Sequence, residues 1–526
     1  MKTYNTLFKS LLMAFVLSAG LTGCSEDTMD KINQDNDHAH EVDAKFILTD
    51  VITSTAFSNV GGDFNTYGSS YIEYEVGVDN QLYNAEIRLN EPSAASTFEN
   101  IWSNLYMTLK NARIAIAQCE EGKRDEGNNV TRGIAEVLAA YNSALIADMF
   151  GDAPFSEAAV VDKASLPVYM NPKMETQEAI YKGVMQYLDD AIAHLQQSDV
   201  LPIGASDLLY DGKTTQWIQF AYGLKARYTM RLLNRSADQT KDLEAVLDYI
   251  DKSFASADEQ AEFALYDSNN INPLFGFYSS RAGLALSQSL CEKLAERNDP
   301  RIQRAILSPM IKITEKEKVR YQITDVTDPH YVPAPNGSPK QSIQAYGVSA
   351  FMYAQTAPTV LLSYHELQFL KAEALCRLNR LPEAEEALKE GVIAGLLNAE
   401  ASVKAAEYKL SKGLISVDAT LGETEAEDYF DNEVKPLFTA NPLKETMIQK
   451  YLAFWGASGE ATEMYSDIRR WKAEGYEYVT LKNTRKFPLR CPYGNSDTTT
   501  NPEVKAAYGD GQYVYAEPVW WANGTR

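Results

Sequence analysis

The feature that most constrains this chain is a helical hydrophobic period that returns along most of its length. In residues 99 to 119, Ile101, Trp102, Leu105, Tyr106, Leu109 and Ala112 fall at helical spacing, and residues 130 to 150 repeat this with Ile134, Val137, Leu138, Tyr141, Leu145 and Met149. Such stripes predict two amphipathic helices. Further helices are expected at 175 to 196, at 214 to 233 with Trp217, Phe220, Leu224 and Met230 on one side, and at 242 to 256. The clearest unit is 361 to 397 (LLSYHELQFLKAEALCRLNRLPEAEEALKEGVIAGLL). It reads as a helix to about Leu378, a turn at Asn379-Arg380-Leu381, and a second helix opened by Pro382, a position that tolerates proline. Ala372, Ala384 and Gly391 are separated by twelve and seven residues, the spacing at which tetratricopeptide-like pairs place small residues where two backbones approach. One pair cannot bury its own apolar face, but stacked neighbours can. The expected fold class is therefore all-α, predominantly, on a tetratricopeptide-like helical-pair scaffold.

Between the helices lie four long stretches expected to be irregular insertions: 57 to 98, 257 to 282, 308 to 358 and 476 to 526. Loops of this length are functional or disordered. Their many Tyr and Phe residues need something to pack on, which argues for order.

The first residues are not part of the fold. Lys2 and Lys9 form a basic region, residues 11 to 17 (LLMAFVL) an apolar one, and Leu21-Thr22-Gly23-Cys24 follows. This is the layout of a signal peptide over 1 to 23, and its ending resembles the bacterial lipobox, which makes Cys24 the lipidated N-terminus of the mature chain. Acyl chains anchor through buried methylenes. Ser25-Glu26-Asp27 resembles the surface-export signal of Bacteroidetes lipoproteins. Residues 24 to 45 are acidic and poor in apolar side chains, which reads as a flexible tether. Residues 46 to 526 remain for the binding domain.

With Lys2 and Lys9 removed, the formal charge goes from −23 to −25, a sign that repels phosphate backbones, so nucleic acid is excluded as a partner. Cys119, Cys291, Cys376 and Cys491 are widely spaced, with no CxxC or Cys/His cluster, so no zinc site is expected and the thiols read as buried and free. His365-Glu366 opens like a zinc-protease helix, but Phe369 occupies the place of the second His. Neither a phosphate-binding GxxxxGK[ST] loop nor a GxSxG elbow occurs. Asp63-Phe-Asn65 starts like a calcium loop, yet position twelve is Tyr74 instead of Glu. His38 and His40 fall in the tether and read as solvated. The expectation is a protein that is not an enzyme, with no cofactor and no metal. Asp467, Arg469 and Arg470, beside Trp471, read as structural ion pairs and ring cover.

Two insertions carry the chemistry of sugar binding, which needs flat aromatic faces beside amide and guanidinium donors. Residues 266 to 281 (YDSNNINPLFGFYSSR) combine Phe275, Phe277 and Tyr278 with Asn269, Asn272 and Arg281, and residues 63 to 83 bring Tyr67, Tyr71 and Tyr74. These nine are the candidate ligand contacts.

Several segments together resemble the SusD/RagB family of nutrient-binding outer-membrane lipoproteins, in its SusD-like branch. They are the lipobox; residues 130 to 158 with Phe150-Gly151-Asp152 and Pro154; and Trp217 to Leu233. Residues 364 to 391, Gln449-Lys450-Tyr451, Asp467 to Arg470, Pro488-Leu489-Arg490, Tyr493, Asn501 and Trp520-Trp521 continue the match. Tyr493-Gly494-Asn495 departs from the family pattern, which often has Tyr-Pro and a nearby Glu. The resemblance implies four tetratricopeptide-like pairs, with the long insertions building the ligand face. It also implies a cell-surface lipoprotein of the outer membrane that captures oligosaccharide, or in some members peptide, for a SusC-like TonB-dependent transporter. A purely structural helical-repeat adaptor is the remaining reading of the helices alone.

Overall fold

The periodic stretches fold as the helices their spacing predicts. In chain order the main helices are α1 (Ala44–Ser54), α2 (Asp63–Tyr71), α3 (Phe98–Gln118), α4 (Asn129–Phe150), α5 (Gln177–Leu195) and α6 (Thr214–Arg231). They continue with α7 (Gln239–Asp251), α8 (Pro273–Arg281), α9 (Tyr364–Arg377), α10 (Leu381–Ser411), α11 (Pro442–Ala453) and α12 (Ala461–Ala473). The computed structural model describes residues 42–162, 166–309, 311–315, 318–322, 331–411 and 418–526, of which 44 to 526 form one unit. The signal peptide, Cys24, the acidic cluster and His38 and His40 lie outside the described residues.

Packing runs from helix to helix: α1 on α3, α3 on α4, α4 on α5, α5 on α6, α6 on α7, α7 on α9, α9 on α10, and α11 against both α9 and α10. This is the stacked-pair arrangement of a tetratricopeptide-like scaffold. Where backbones come close, small residues stand. A Cβ on Gly391 would lie 3.3 Å from the Phe369 ring, and one on Gly395 only 2.6 Å from the Ala453 Cβ. Ser363 caps α9 by accepting the Glu366 N–H at 3.0 Å, and Asn379 turns the chain with a positive φ of 59°. α7 runs from 239 to 251 instead of the expected 242 to 256, because Asp238 caps it by accepting the Lys241 N–H at 3.1 Å.

The stretches expected to be irregular hold more regular structure than their sequences suggest. Residues 57 to 98 contain α2 and a helix at Asn80–Ile87, and 257 to 282 contain α8. Residues 308 to 358 contain a hairpin of Ile311–Glu315 with Lys318–Gln322, and 476 to 526 contain helices Asn495–Thr500 and Pro502–Tyr508. α2 escapes a periodicity reading because every residue after Asp63 is buried, and a helix covered on all sides carries no apolar stripe. The strand β1 (Glu75–Gly77) pairs antiparallel with β2 (Leu284–Leu286), joining the segment after α2 to the segment after α8.

Ionic pairs tie the scaffold together from within. Arg227 on α6 forms a fork with Glu366 on α9 at 2.7 and 2.6 Å, and Arg470 on α12 another with Glu373 on α9 at 2.7 and 2.7 Å. Lys450 on α11 meets Asp467 at 2.6 Å. Arg469 donates to the Asp148 carbonyl at 2.7 Å and lies over Tyr465 and Trp521 at 4.2 and 4.8 Å. Asp467, Arg469 and Arg470 thus do the structural work their residue types predict. The departure at Gly494 also has a cause: a Cβ there would come within 2.4 Å of the Trp102 ring, whose N–H donates to Asp497 at 2.7 Å.

Candidate functional site

The aromatic residues of the 63 to 83 segment are core. Tyr67 packs edge-on to Phe98 at 5.5 Å. Tyr71 lies against Tyr465 at 6.0 Å with the Arg88 guanidinium over it at 5.5 Å. Tyr74 packs on Tyr451 at 4.7 Å and donates its hydroxyl to the Tyr451 carbonyl at 2.5 Å. Burial raises the pKa of all three phenols. A sugar ring could reach these faces only by displacing the core that covers them.

The second segment divides. Asn272 is buried and caps α8: its carbonyl oxygen accepts the Leu274 N–H at 2.9 Å, and its amide donates to the carbonyls of Ala357 at 2.8 Å and Ala457 at 3.3 Å. That bolt, with Pro273 in the first turn, fixes how α8 sits. Phe275 and Tyr278 then face inward and are buried, Tyr278 edge-on to Tyr353 at 5.4 Å. Asn269 is exposed in a turn held by Asp267, which accepts the Asn269 and Asn270 N–H groups at 2.7 Å each. Phe277 and Arg281 face out.

Those two residues line an open groove of 440 Å³ together with Phe57, Asp63, Asn100 and Asn104. Phe57 is 41% exposed and lines this groove. Arg281 is exposed, sits over the Phe277 ring at 5.1 Å, and makes no hydrogen bond to any described residue. Its donors are therefore open to a ligand. Asn100 donates to Asp63 at 3.0 Å, leaving its carbonyl oxygen as an acceptor, and Asn104 lies one turn further along α3. Two aromatic rings with amide, carboxylate and guanidinium groups line this one groove, a set of side chains suited to a sugar ring and its hydroxyls. Sequence reasoning missed Phe57, Asn100 and Asn104. The available signal was the pair of asparagines four residues apart on the polar side of α3.

Behind α8, Glu75 on β1 is buried, and the Trp455 indole N–H donates to one of its oxygens at 3.4 Å. The other oxygen has no partner among the described residues. Burial, only partly offset by that indole, pushes this carboxyl well above the usual range.

A stacked-helix scaffold bearing an open groove of aromatic and amide groups defines a helical-repeat binding protein. A family described as "Starch-binding associating with outer membrane", SusD-like, matches residues 35–493, and the chain belongs to that family. Among solved structures, a SusD/RagB family protein from Bacteroides thetaiotaomicron is 61% identical, with a TM-score of 0.86 over 92% of this chain and 100% of that one. A chitin-binding protein is 19% identical with a TM-score of 0.67, covering 91% and 99% of the two chains. A chitin-binding SusD homolog from Flavobacterium johnsoniae is 18% identical, with a TM-score of 0.65 over 91% and 98%. These last two share the fold. No functionally curated protein matches significantly. The family associates with the outer membrane, and among the described residues no helix is long and apolar enough to cross a membrane.

Proposed function

We propose that this protein is a lipid-anchored nutrient-binding protein of the outer membrane's outer face that captures an oligosaccharide and passes it to a SusC-like TonB-dependent transporter, with no catalytic step of its own. The observation that carries the reading is the groove between α3 and α8, where Phe57, Phe277 and Arg281 stand ready for a ligand on a family scaffold described as starch-binding. The lipobox at Cys24 supplies the anchor. Chitin binding by two proteins of the same fold puts chito-oligosaccharides beside malto-oligosaccharides as the first ligands to try.

Arg281, free of hydrogen bonds to described residues, also suits a peptide carboxylate, so peptides belong in the same panel. Calorimetric titration of glycans and peptides tests both readings. A glycan whose affinity falls at least about tenfold, or about 1.4 kcal/mol, in both Phe277→Ala and Phe57→Ala supports the site. A glycan that binds both variants as it binds the wild type places the site elsewhere, and a panel in which only peptides bind replaces the glycan reading.

A further inference from the structure

A second, larger groove of 1330 Å³ shares no residue with the one between α3 and α8. Its floor is a stripe of α10 in which Ile393, Ala394, Leu397 and Ala401 recur at helical spacing, faced by Leu265. Leu265 is 54% and Leu397 36% exposed, so these two leucines stand in water, while Ile393 is buried. At Tyr364 and Glu390, which line both, the groove runs on into a neighbouring one of 460 Å³ between α7, α9 and the first turns of α10.

The rim of the joined groove is acidic. Asp211, Asp258, Glu386, Glu390 and Glu423 line it and are exposed, and among the described residues none has a cation within ion-pairing distance. Only Asp251 and Glu383 in the smaller part are paired, with Lys371 and Arg380. Among the described residues, Lys213 is the sole lysine lining the larger part. The side-chain nitrogen of Asn398, also on this wall, is shielded from water with no hydrogen-bond acceptor among the described residues. A cleft lined by one sign of charge focuses its field on whatever enters, and an apolar strip with a charged rim has the layout of a protein interface.

We propose that this groove docks a cationic polypeptide segment, one that sets apolar side chains on the α10 stripe and Lys or Arg side chains against Glu386, Glu390 and their neighbours. A neutral glycan matches neither the charge nor the apolar strip. The test uses the full chain in detergent and fluorescence anisotropy of a labelled amphipathic peptide of leucine and lysine, with its leucine and glutamate counterpart as control. The lysine peptide binds and the glutamate peptide does not. Affinity for the lysine peptide falls at least about tenfold in Glu386→Gln/Glu390→Gln. It stays near wild type in Glu120→Gln/Glu121→Gln, which removes the same charge from an exposed turn that does not line the groove. Unchanged binding by the first double variant, an equal loss in the second, or equal binding of both peptides each overturns the proposal.

Discussion

Gly395→Ala probes a close approach in the scaffold, where α10 crosses α11. An ideal Cβ at this position would sit 2.6 Å from the Ala453 Cβ and 3.4 Å from its Cα. Apolar carbons rest at about 3.5–4.0 Å, so the two helices must separate by roughly 1 Å. Ala453 has no rotamer through which to yield. The cost therefore falls in the upper part of the about 1–3 kcal/mol typical of overpacking. Against it stands about 0.8–1 kcal/mol gained by replacing glycine with alanine inside a helix. The net effect is a loss of about 1–2 kcal/mol. For a unit spanning 44 to 526, roughly 2.1 cal/mol/K per residue gives a melting entropy of roughly 1 kcal/mol/K. Tm should fall by roughly 1–2 °C in differential scanning calorimetry. The reciprocal variant Gly395→Ala/Ala453→Gly moves the methyl group across the interface and should recover most of the packing loss. A single variant that melts about 1 °C higher than wild type, the value helix propensity alone would give, refutes the crossing.

Three further outcomes follow from buried charge and from the anchor. Glu75→Gln tests the carboxyl behind α8: its folded pKa is raised by burial above the unfolded value of about 4.3, so its contribution is fully present below that pH and is lost as pH rises through the folded value. The variant should match wild type near pH 4 and exceed it in Tm at pH 8, and a gap that does not widen with pH would sink the idea. Burial alone would raise Glu373, but the Arg470 and Arg377 guanidiniums hold it below the usual carboxylate range. Arg470→Met strips one of these and should cost about 3–5 kcal/mol, read by chemical denaturation; a loss under about 1 kcal/mol would mean that Arg377 suffices. Cys24→Ala should shift the protein from the membrane fraction to a soluble or unprocessed form, since each buried methylene of the anchor contributes about 0.8 kcal/mol; unchanged fractionation with the outer membrane would rule out lipidation at this residue.

What the sequence by itself determined is whatever depends on neighbours in the chain. The period of Ile101 to Ala112 and of Ile134 to Met149, the turn at Asn379, and small residues at Ala372, Ala384 and Gly391 are local signals: the periods reappear as helices, Asn379 as a turn, and the small residues as buried positions, Gly391 against the Phe369 ring. The ion pairing of Arg470 and the ring cover of Arg469 were legible too, because an arginine beside carboxylates and aromatic rings has few other uses in a helix. The candidate site was legible only in part. Phe277 and Arg281 lie in the groove, while Tyr67, Tyr71, Tyr74, Phe275 and Tyr278 are packed beneath neighbouring elements and Asn272 is spent on capping. A tyrosine in a polar stretch such as Asp63–Tyr71 has the same local chemistry whether it meets a sugar or a protein core. Which of the two it meets is set by Phe98, Tyr451 and Tyr465, residues distant in sequence that close over the ring. Only the tertiary structure decides that, because burial belongs to the surface left after all elements have packed, and not to any one of them.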